Sequence, residues 1–133
     1  MRLLVCGSRF WGYNSVAEQR HLIQVLDTVH RETPITLLIE GEAKGADTLA
    51  RHWAERNGIR VAPFPANWTQ YKRAAGPIRN AQMLKEGRPE QVIAFHNNLA
   101  QSKGTAHMVQ LARKAGVPIQ ILATTVPVVE HTF

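Results

Sequence analysis

Cysteine is nearly absent: Cys6 stands alone in 133 residues, so no disulfide can close within the chain and a reducing cytoplasm is the expected home. Long hydrophobic runs are missing too. The best of them, around Leu3–Cys6 and Ile35–Ile39, are strand-sized and far short of the roughly 18 apolar residues of a membrane-crossing helix, so no membrane association is expected. Met1 and Arg2 lead into an apolar stretch broken at Gly7, Ser8 and Arg9, which lacks the regions of a secretory leader. Acidic residues are scarce, 10 against 16 Lys and Arg, giving a formal charge of +6 and pointing to an anionic partner. The positive charge is scattered, with Lys72-Arg73 and Arg113-Lys114 the only adjacent basic pairs, so no basic arm is present to track a nucleic-acid backbone. Nucleic-acid binding is therefore expected to be weak at most.

What remains is an ordinary globular balance, 44% hydrophobic and 20% charged, of a size that fits one domain over residues 1–133. Repeats, low-complexity segments and linkers are lacking. Periodicity ends near Thr124, which predicts a core over about residues 1–124 followed by an irregular tail.

Short apolar runs alternate with longer amphipathic ones. Leu3–Cys6, Ile35–Ile39, Val61–Phe64, Gln91–Phe95 and Pro118–Leu122 read as five strands. Ala46, Leu49, Ala50, Trp53 and Ala54 form the clearest helical stripe, closing at Gly58. Ser15–Val29 and Thr105–Ala115 read as two more helices, and Pro77 suits the first position of a short one reaching Leu84. Strand then helix, repeated without hairpin signals, predicts a single α/β domain whose mostly parallel five-stranded sheet carries helices on both faces.

In such a sheet ligands bind beyond the carboxyl ends of the strands. Three glycine-containing loops fall there: Gly7-Ser8-Arg9, Gly41-Glu42-Ala43-Lys44-Gly45-Ala46-Asp47 and Ser102-Lys103-Gly104-Thr105. Each alone reads more readily as an ordinary tight turn than as an anion site. Three converging on one edge favour anion binding, because helix N-termini offer unpaired N–H groups and Arg9, Lys44 and Lys103 add charge. None is a Walker A loop or a full G-x-G-x-x-G, which disfavours a nucleoside triphosphatase and an ordinary dinucleotide dehydrogenase.

These loops, together with Leu49-Ala50, Trp53-Ala54, Pro65-Ala66-Asn67-Trp68 and Ala75-Gly76-Pro77-Ile78-Arg79-Asn80 with Met83, resemble the YspA-type, YpsA-related SLOG family from Arg2 to about Leu122. The wider superfamily includes the LOG phosphoribohydrolases and the DNA-processing protein DprA. The resemblance implies a Rossmann-like sheet, a nucleotide or nucleotide-derived ligand, and roles in sensing or in conflict between phages and bacteria. It matches Arg79 and Met83 to the Arg-x-x-x-Met of the LOG enzymes, whose arginine faces the phosphoribosyl group. Gly104-Thr105 match the end of their Pro-Gly-Gly-x-Gly-Thr-x-x-Glu motif, but His96-Asn97-Asn98 and a longer loop replace the Pro-Gly-Gly. Met108 stands where the catalytic Glu would be. Cleavage of a glycosidic bond develops positive charge on the sugar and wants a carboxylate nearby, so the LOG reaction is not expected to proceed unaided.

Candidate catalytic residues are thus Arg79, Asp47 and Glu42. Asp47 lies in the first turn of a helix, where a carboxylate is favoured by the dipole as well as by any ribose contact. Glu40 and Glu42 flank the end of the second strand, where surface placement competes with a role as replacement carboxylate. His96 and His107 lack partners at metal-ligand spacing, so neither a metal nor another cofactor is expected. Cys6 reads as inert core. Trp68 and Tyr71 lie in a polar loop and are suited to stacking a base or covering the core edge. The site expected for a small phosphorylated nucleotide-type ligand comprises Gly7, Ser8, Arg9, Gly41, Gly45, Asp47, Arg79, Asn80, Ser102, Lys103, Gly104 and Thr105. Within it, Arg79 and Lys103 hold phosphate with backbone groups of Gly7, Ser8, Gly104 and Thr105. A sensor or sequestering protein is the expected function; a LOG-like N-glycoside phosphoribohydrolase and a DprA-like nucleic-acid binder are the alternatives. Oligomeric state stays open.

Overall fold

The computed structural model describes residues 1–124, so the tail expected after Thr124 lies outside the described residues. Its sheet is built from β1 (Arg2–Gly7), β2 (Leu37–Glu40), β3 (Arg60–Pro63), β4 (Gln91–Phe95) and β5 (Ile119–Leu122). The strands are parallel throughout, in the order β3-β2-β1-β4-β5. This is the expected α/β, Rossmann-like arrangement.

Successive residues of a strand point to opposite faces, and β1 uses both. Leu3 and Val5 enter one core with Leu22 and Leu26 of α1 (Val16–Glu32) and with Ala50, Trp53 and Ala54 of α2 (Ala46–Arg56). Leu4 and Cys6 enter the other, with Met83 of α4 (Ala75–Gly87) and Met108, Val109 and Ala112 of α5 (Lys103–Lys114). A central strand apolar on both faces needs this double cover. The edge strands are less buried: Ile121 of β5 stays 37% exposed, and Pro63, which has no N–H to donate, closes β3 on the opposite edge.

Element boundaries shift where polar groups decide them. The second strand begins at Leu37 rather than Ile35, because the Ile35 N–H is donated to His30 Nδ1 at 2.9 Å and the Thr36 N–H to the Met1 carbonyl at 2.9 Å. It extends to Glu40, whose carbonyl accepts the Phe64 N–H. Helix α4 begins at Ala75, which puts Pro77 third rather than first; the missing N–H costs nothing anywhere in a first turn. Helix α5 begins at Lys103, two residues before the Thr105 start expected from the sequence, capped by Ser102 Oγ accepting from the Thr105 N–H at 3.1 Å. The loop after β3 contains a single helical turn, α3 (Trp68–Tyr71), capped by Asn67.

Chain order reverses direction between β1 and β4: β2 and β3 build outward on one side, β4 and β5 on the other. The crossovers diverge above this pair, leaving a crevice beyond Gly7 and Phe95, which are register partners.

Candidate nucleotide-binding cleft

A cleft of about 510 Å³ occupies that crevice. Its floor includes Cys6, Met83 and Met108, and its walls come from the loop after β1, the start of α2, the first turns of α4 and the segment from His96 to Thr105.

The loop after β1 is fixed by its own backbone. Ser8 donates its N–H to the Phe95 carbonyl at 2.8 Å, its carbonyl accepts from the Trp11 and Ala46 N–H groups, and its Oγ accepts from the Phe10 N–H. Trp11 anchors the segment from below. It is 2% exposed, packs at 5.5 Å from the Phe95 ring, and donates Nε1–H to the Glu18 carbonyl at 2.9 Å.

The loop after β2 is held by carboxylates of the chain itself. Asp47 Oδ2 accepts from the Gly41 N–H at 3.0 Å and the Ala43 N–H at 3.3 Å, while both oxygens of Glu40 accept from the Glu42 N–H at 3.2 Å. The three amides are therefore occupied, and this loop has none of them free for a ligand. Gly45, at φ +78°, packs so closely on the Ser8 and Arg9 backbone that a Cβ would lie 2.3 Å from the Ser8 carbonyl oxygen. Its role is to let α2 approach β1.

At α5 the situation differs. Ser102 satisfies only the Thr105 N–H through its side chain, and the Ser102 carbonyl takes the Ala106 N–H. The Lys103 and Gly104 amides, in the first turn, have no intrahelical acceptor, and both residues line the cleft at the positive end of the helix dipole. Arg79 approaches from α4. Its Nη1 donates to the Gly41 carbonyl and its Nε to Asn80 Oδ1 at 3.0 Å. Asn80 in turn donates to the Gly104 carbonyl at 3.2 Å and lies 3.3 Å from His107 Nδ1. Arg9, Arg79 and Lys103 all line the cleft, and among the described residues none makes an ion pair.

Of the residues expected at the site, Gly7, Ser8, Arg9, Asp47, Arg79, Asn80, Ser102, Lys103, Gly104 and Thr105 line the cleft. Gly41, Gly45 and Glu42 do not: the two glycines permit close packing behind the wall, and Glu42, at φ +55°, turns outward toward Arg51. Surface placement holds for Glu42 but not for Glu40, which is fully buried because its side chain follows Leu38 onto the α2 face. Trp68 and Tyr71 are 58% and 41% exposed and lie outside the cleft lining.

Cleft residues missed as ligand candidates by reading the chain include Phe10, Trp11, Glu18, Asn97, Asn98 and Gln101. Phe10-Trp11 directly follow Gly7-Ser8-Arg9, a usable signal. Glu18 had none, since it reaches the cleft from the first turn of α1, where Oε1 accepts from the Gly12 N–H and Oε2 from Asn97 Nδ2 at 2.7 Å.

Burial shifts the pKa values of the ionisable groups in and behind the cleft, always toward the neutral form. The Cys6 thiol is pushed well above its ordinary range by desolvation and then by the Asp47 charge, so it stays protonated and unreactive. Asp47 is pushed up to about 6 by burial, against the pull of the Ala43 amide and Arg79. Glu40 is pushed up to about 7 by burial and by the neighbouring Asp47 carboxylate. His96 is lowered by burial, and its Nδ1 accepts from the Asn98 N–H at 3.0 Å, leaving a neutral ring with Nε2–H available. No three metal-ligating side chains come together among the described residues, and no described helix is long and apolar enough to cross a membrane.

Comparison with known proteins finds two similarities. The profile of the family described as "YspA, cpYpsA-related SLOG family" matches residues 1–71, a span that includes β1, β2, β3 and the first two glycine loops. A protein of Mycobacterium phage D29, described as "Gene 61 protein", is 32% identical over 123 residues, covering 89% of this chain and 93% of the relative.

Proposed function

The chain belongs to the YspA, cpYpsA-related SLOG family, and from that premise we propose that the cleft binds a nucleoside phosphate or an ADP-ribose-like ligand and retains it as a sensor or sequestering protein. One observation carries the reading: the Lys103 and Gly104 amides at the start of α5, without hydrogen-bond partners among the described residues, meet in one cleft with Arg9, Arg79 and Lys103, none of which makes an ion pair among those residues. Amide donors at a helix N-terminus, joined by a guanidinium and an ammonium, match the geometry and charge of phosphate. Asp47 lies beside Arg79 on the cleft wall, and among the described residues its Oδ1 stays outside its hydrogen bonds, an acceptor suited to a ribose hydroxyl. The cleft would therefore take phosphate at the start of α5 and a sugar hydroxyl at Asp47, with Arg79 near both.

Retention without cleavage follows from the floor. Met108, 1% exposed, fills the position of the carboxylate in the resembling LOG motif, and a thioether gives no charge to an oxocarbenium-like transition state. Asp47 sustains the LOG-like hydrolase as the second reading, since it is the cleft carboxylate with an uncommitted oxygen; both oxygens of Glu18 are taken. Thermal unfolding with nucleoside monophosphates, dinucleotides and cyclic nucleotides tests binding, because a ligand of the folded state raises the transition by mass action. A panel with no shift at millimolar concentration rejects it. Chromatography of free base after incubation separates retention from hydrolysis.

A further inference from the structure

We propose that Phe10 is the stacking platform for the base of the ligand, so that the cleft selects base-bearing nucleotides over sugar phosphates; this rests on the nucleotide reading of the same cleft. Phe10 lines the cleft and yet is 68% exposed, an apolar ring left in water at its mouth. An exposed phenylalanine on a loose loop would mean little, but this loop is pinned on every side. The Phe10 N–H is donated to Ser8 Oγ at 3.0 Å and its carbonyl accepts from the Tyr13 N–H at 3.0 Å. Its neighbour Trp11 is locked into the core against Phe95 and His21. The backbone is thus ordered before any ligand arrives, so stacking on the ring has only its side-chain torsions left to fix. A base laid on it removes apolar surface of both rings from water.

The facing segment carries complementary chemistry. Asn98 and Gln101 line the same cleft with carboxamides that make no hydrogen bond among the described residues, and His96 presents Nε2–H. Carboxamides pair with the donor and acceptor edges of bases, which a sugar phosphate lacks. Asn97 is excluded from this set: its Nδ2 is donated to Glu18, and its Oδ1 accepts from Thr124. The aromatics that the sequence put forward for stacking, Trp68 and Tyr71, stand outside the cleft, whereas Phe10 stands at its mouth. The phosphate end at α5 and the aromatic at the β1 loop together form the two ends of a nucleotide-shaped site.

The test compares binding of the adenine, guanine, cytosine and uracil nucleoside monophosphates with that of ribose 5-phosphate, in wild type, Phe10→Ala and Phe10→Tyr. Phe10→Ala is expected to weaken binding of the nucleotides about 5- to 150-fold, the range for loss of one base–aromatic stack, with unfolding temperature and ribose 5-phosphate binding unchanged. Phe10→Tyr is expected to restore nucleotide affinity. Bound base should show hypochromism in wild type and Phe10→Tyr and none in Phe10→Ala. Nucleotide affinity and hypochromism preserved in Phe10→Ala would overturn the platform while leaving the nucleotide reading standing, and so would an equal loss for ribose 5-phosphate. Wild-type protein that binds none of the four nucleotides would overturn both.

Discussion

Arg79 donates to the backbone carbonyl of Gly41, 38 residues away in sequence, and the contact is so close that a Cβ at position 41 would lie 2.5 Å from Nη1. With Nε held by Asn80, the guanidinium plane is fixed from two sides, and its remaining N–H groups make no hydrogen bond among the described residues. A glycine outside the cleft lining thereby sets the position of a cation inside it.

Gly41→Ala should therefore behave as a weaker form of Arg79→Ala. The added methyl displaces the guanidinium, and affinity for a phosphorylated ligand falls although residue 41 never touches it. Arg79→Ala is expected to cost about 1.5–3 kcal/mol of binding, the usual value of a hydrogen bond to a charged group. Isothermal titration with the best ligand of the thermal panel checks both; unchanged affinity in Arg79→Ala removes that residue from the site.

Glu40 makes stability depend on pH with a definite sign. Its folded-state value of about 7 lies above the ordinary 4.5, so between these values the native state holds the proton more tightly than the unfolded chain does. Stability from this group is present at low pH and is lost as pH rises through about 7, in total on the order of 3 kcal/mol. Asp47 acts in the same direction up to about 6, whereas His96, lowered by burial, opposes them below its ordinary 6.5. The difference between wild type and Glu40→Gln isolates the first effect. Denaturant unfolding should find the variant more stable near pH ~8 and level with wild type near pH ~4; a difference independent of pH contradicts the assignment.

Hydrolysis of adenosine monophosphate to adenine and ribose 5-phosphate should be absent or very slow. Methionine at position 108 cannot stabilise charge developing on the ribose, and a carboxylate in a water-poor cleft can. Repeated turnovers abolished in Asp47→Asn, with ligand binding retained, would instead make Asp47 the catalytic carboxylate and the protein a hydrolase.

Nucleic acid should bind weakly, without sequence preference, and with affinity falling steeply between about 50 mM and about 200 mM salt. The cations are dispersed, and the exposed Trp68 and Tyr71 adjoin only Lys72 and Arg73. Titration of single-stranded and duplex DNA at two salt concentrations decides this. Submicromolar affinity surviving at physiological salt would favour the DprA-like alternative.

The sequence by itself determined the parts governed by neighbours along the chain. Alternating strand and helix periods placed the five strands within two residues at each end, and the Ala46–Trp53 stripe and the Ser102 and Gly45 loops stood at helix starts because capping and backbone freedom are local properties. Arg79 and Asn80 were legible through a motif. Tertiary structure alone decided which loop amides were free. Gly41, Glu42 and Ala43 looked as available as Lys103 and Gly104, but carboxylates of Asp47 and Glu40, folded onto them, consume the first three and leave the last two for a ligand. The same holds for the aromatics: Phe10 lines the cleft and Trp68 does not, because β1 ends at the topological switch point while β3 ends at the sheet edge. Hydropathy records how readily a residue leaves water; it carries no information about which strand ends meet across the sheet, and that meeting is what turns separate loops into one site.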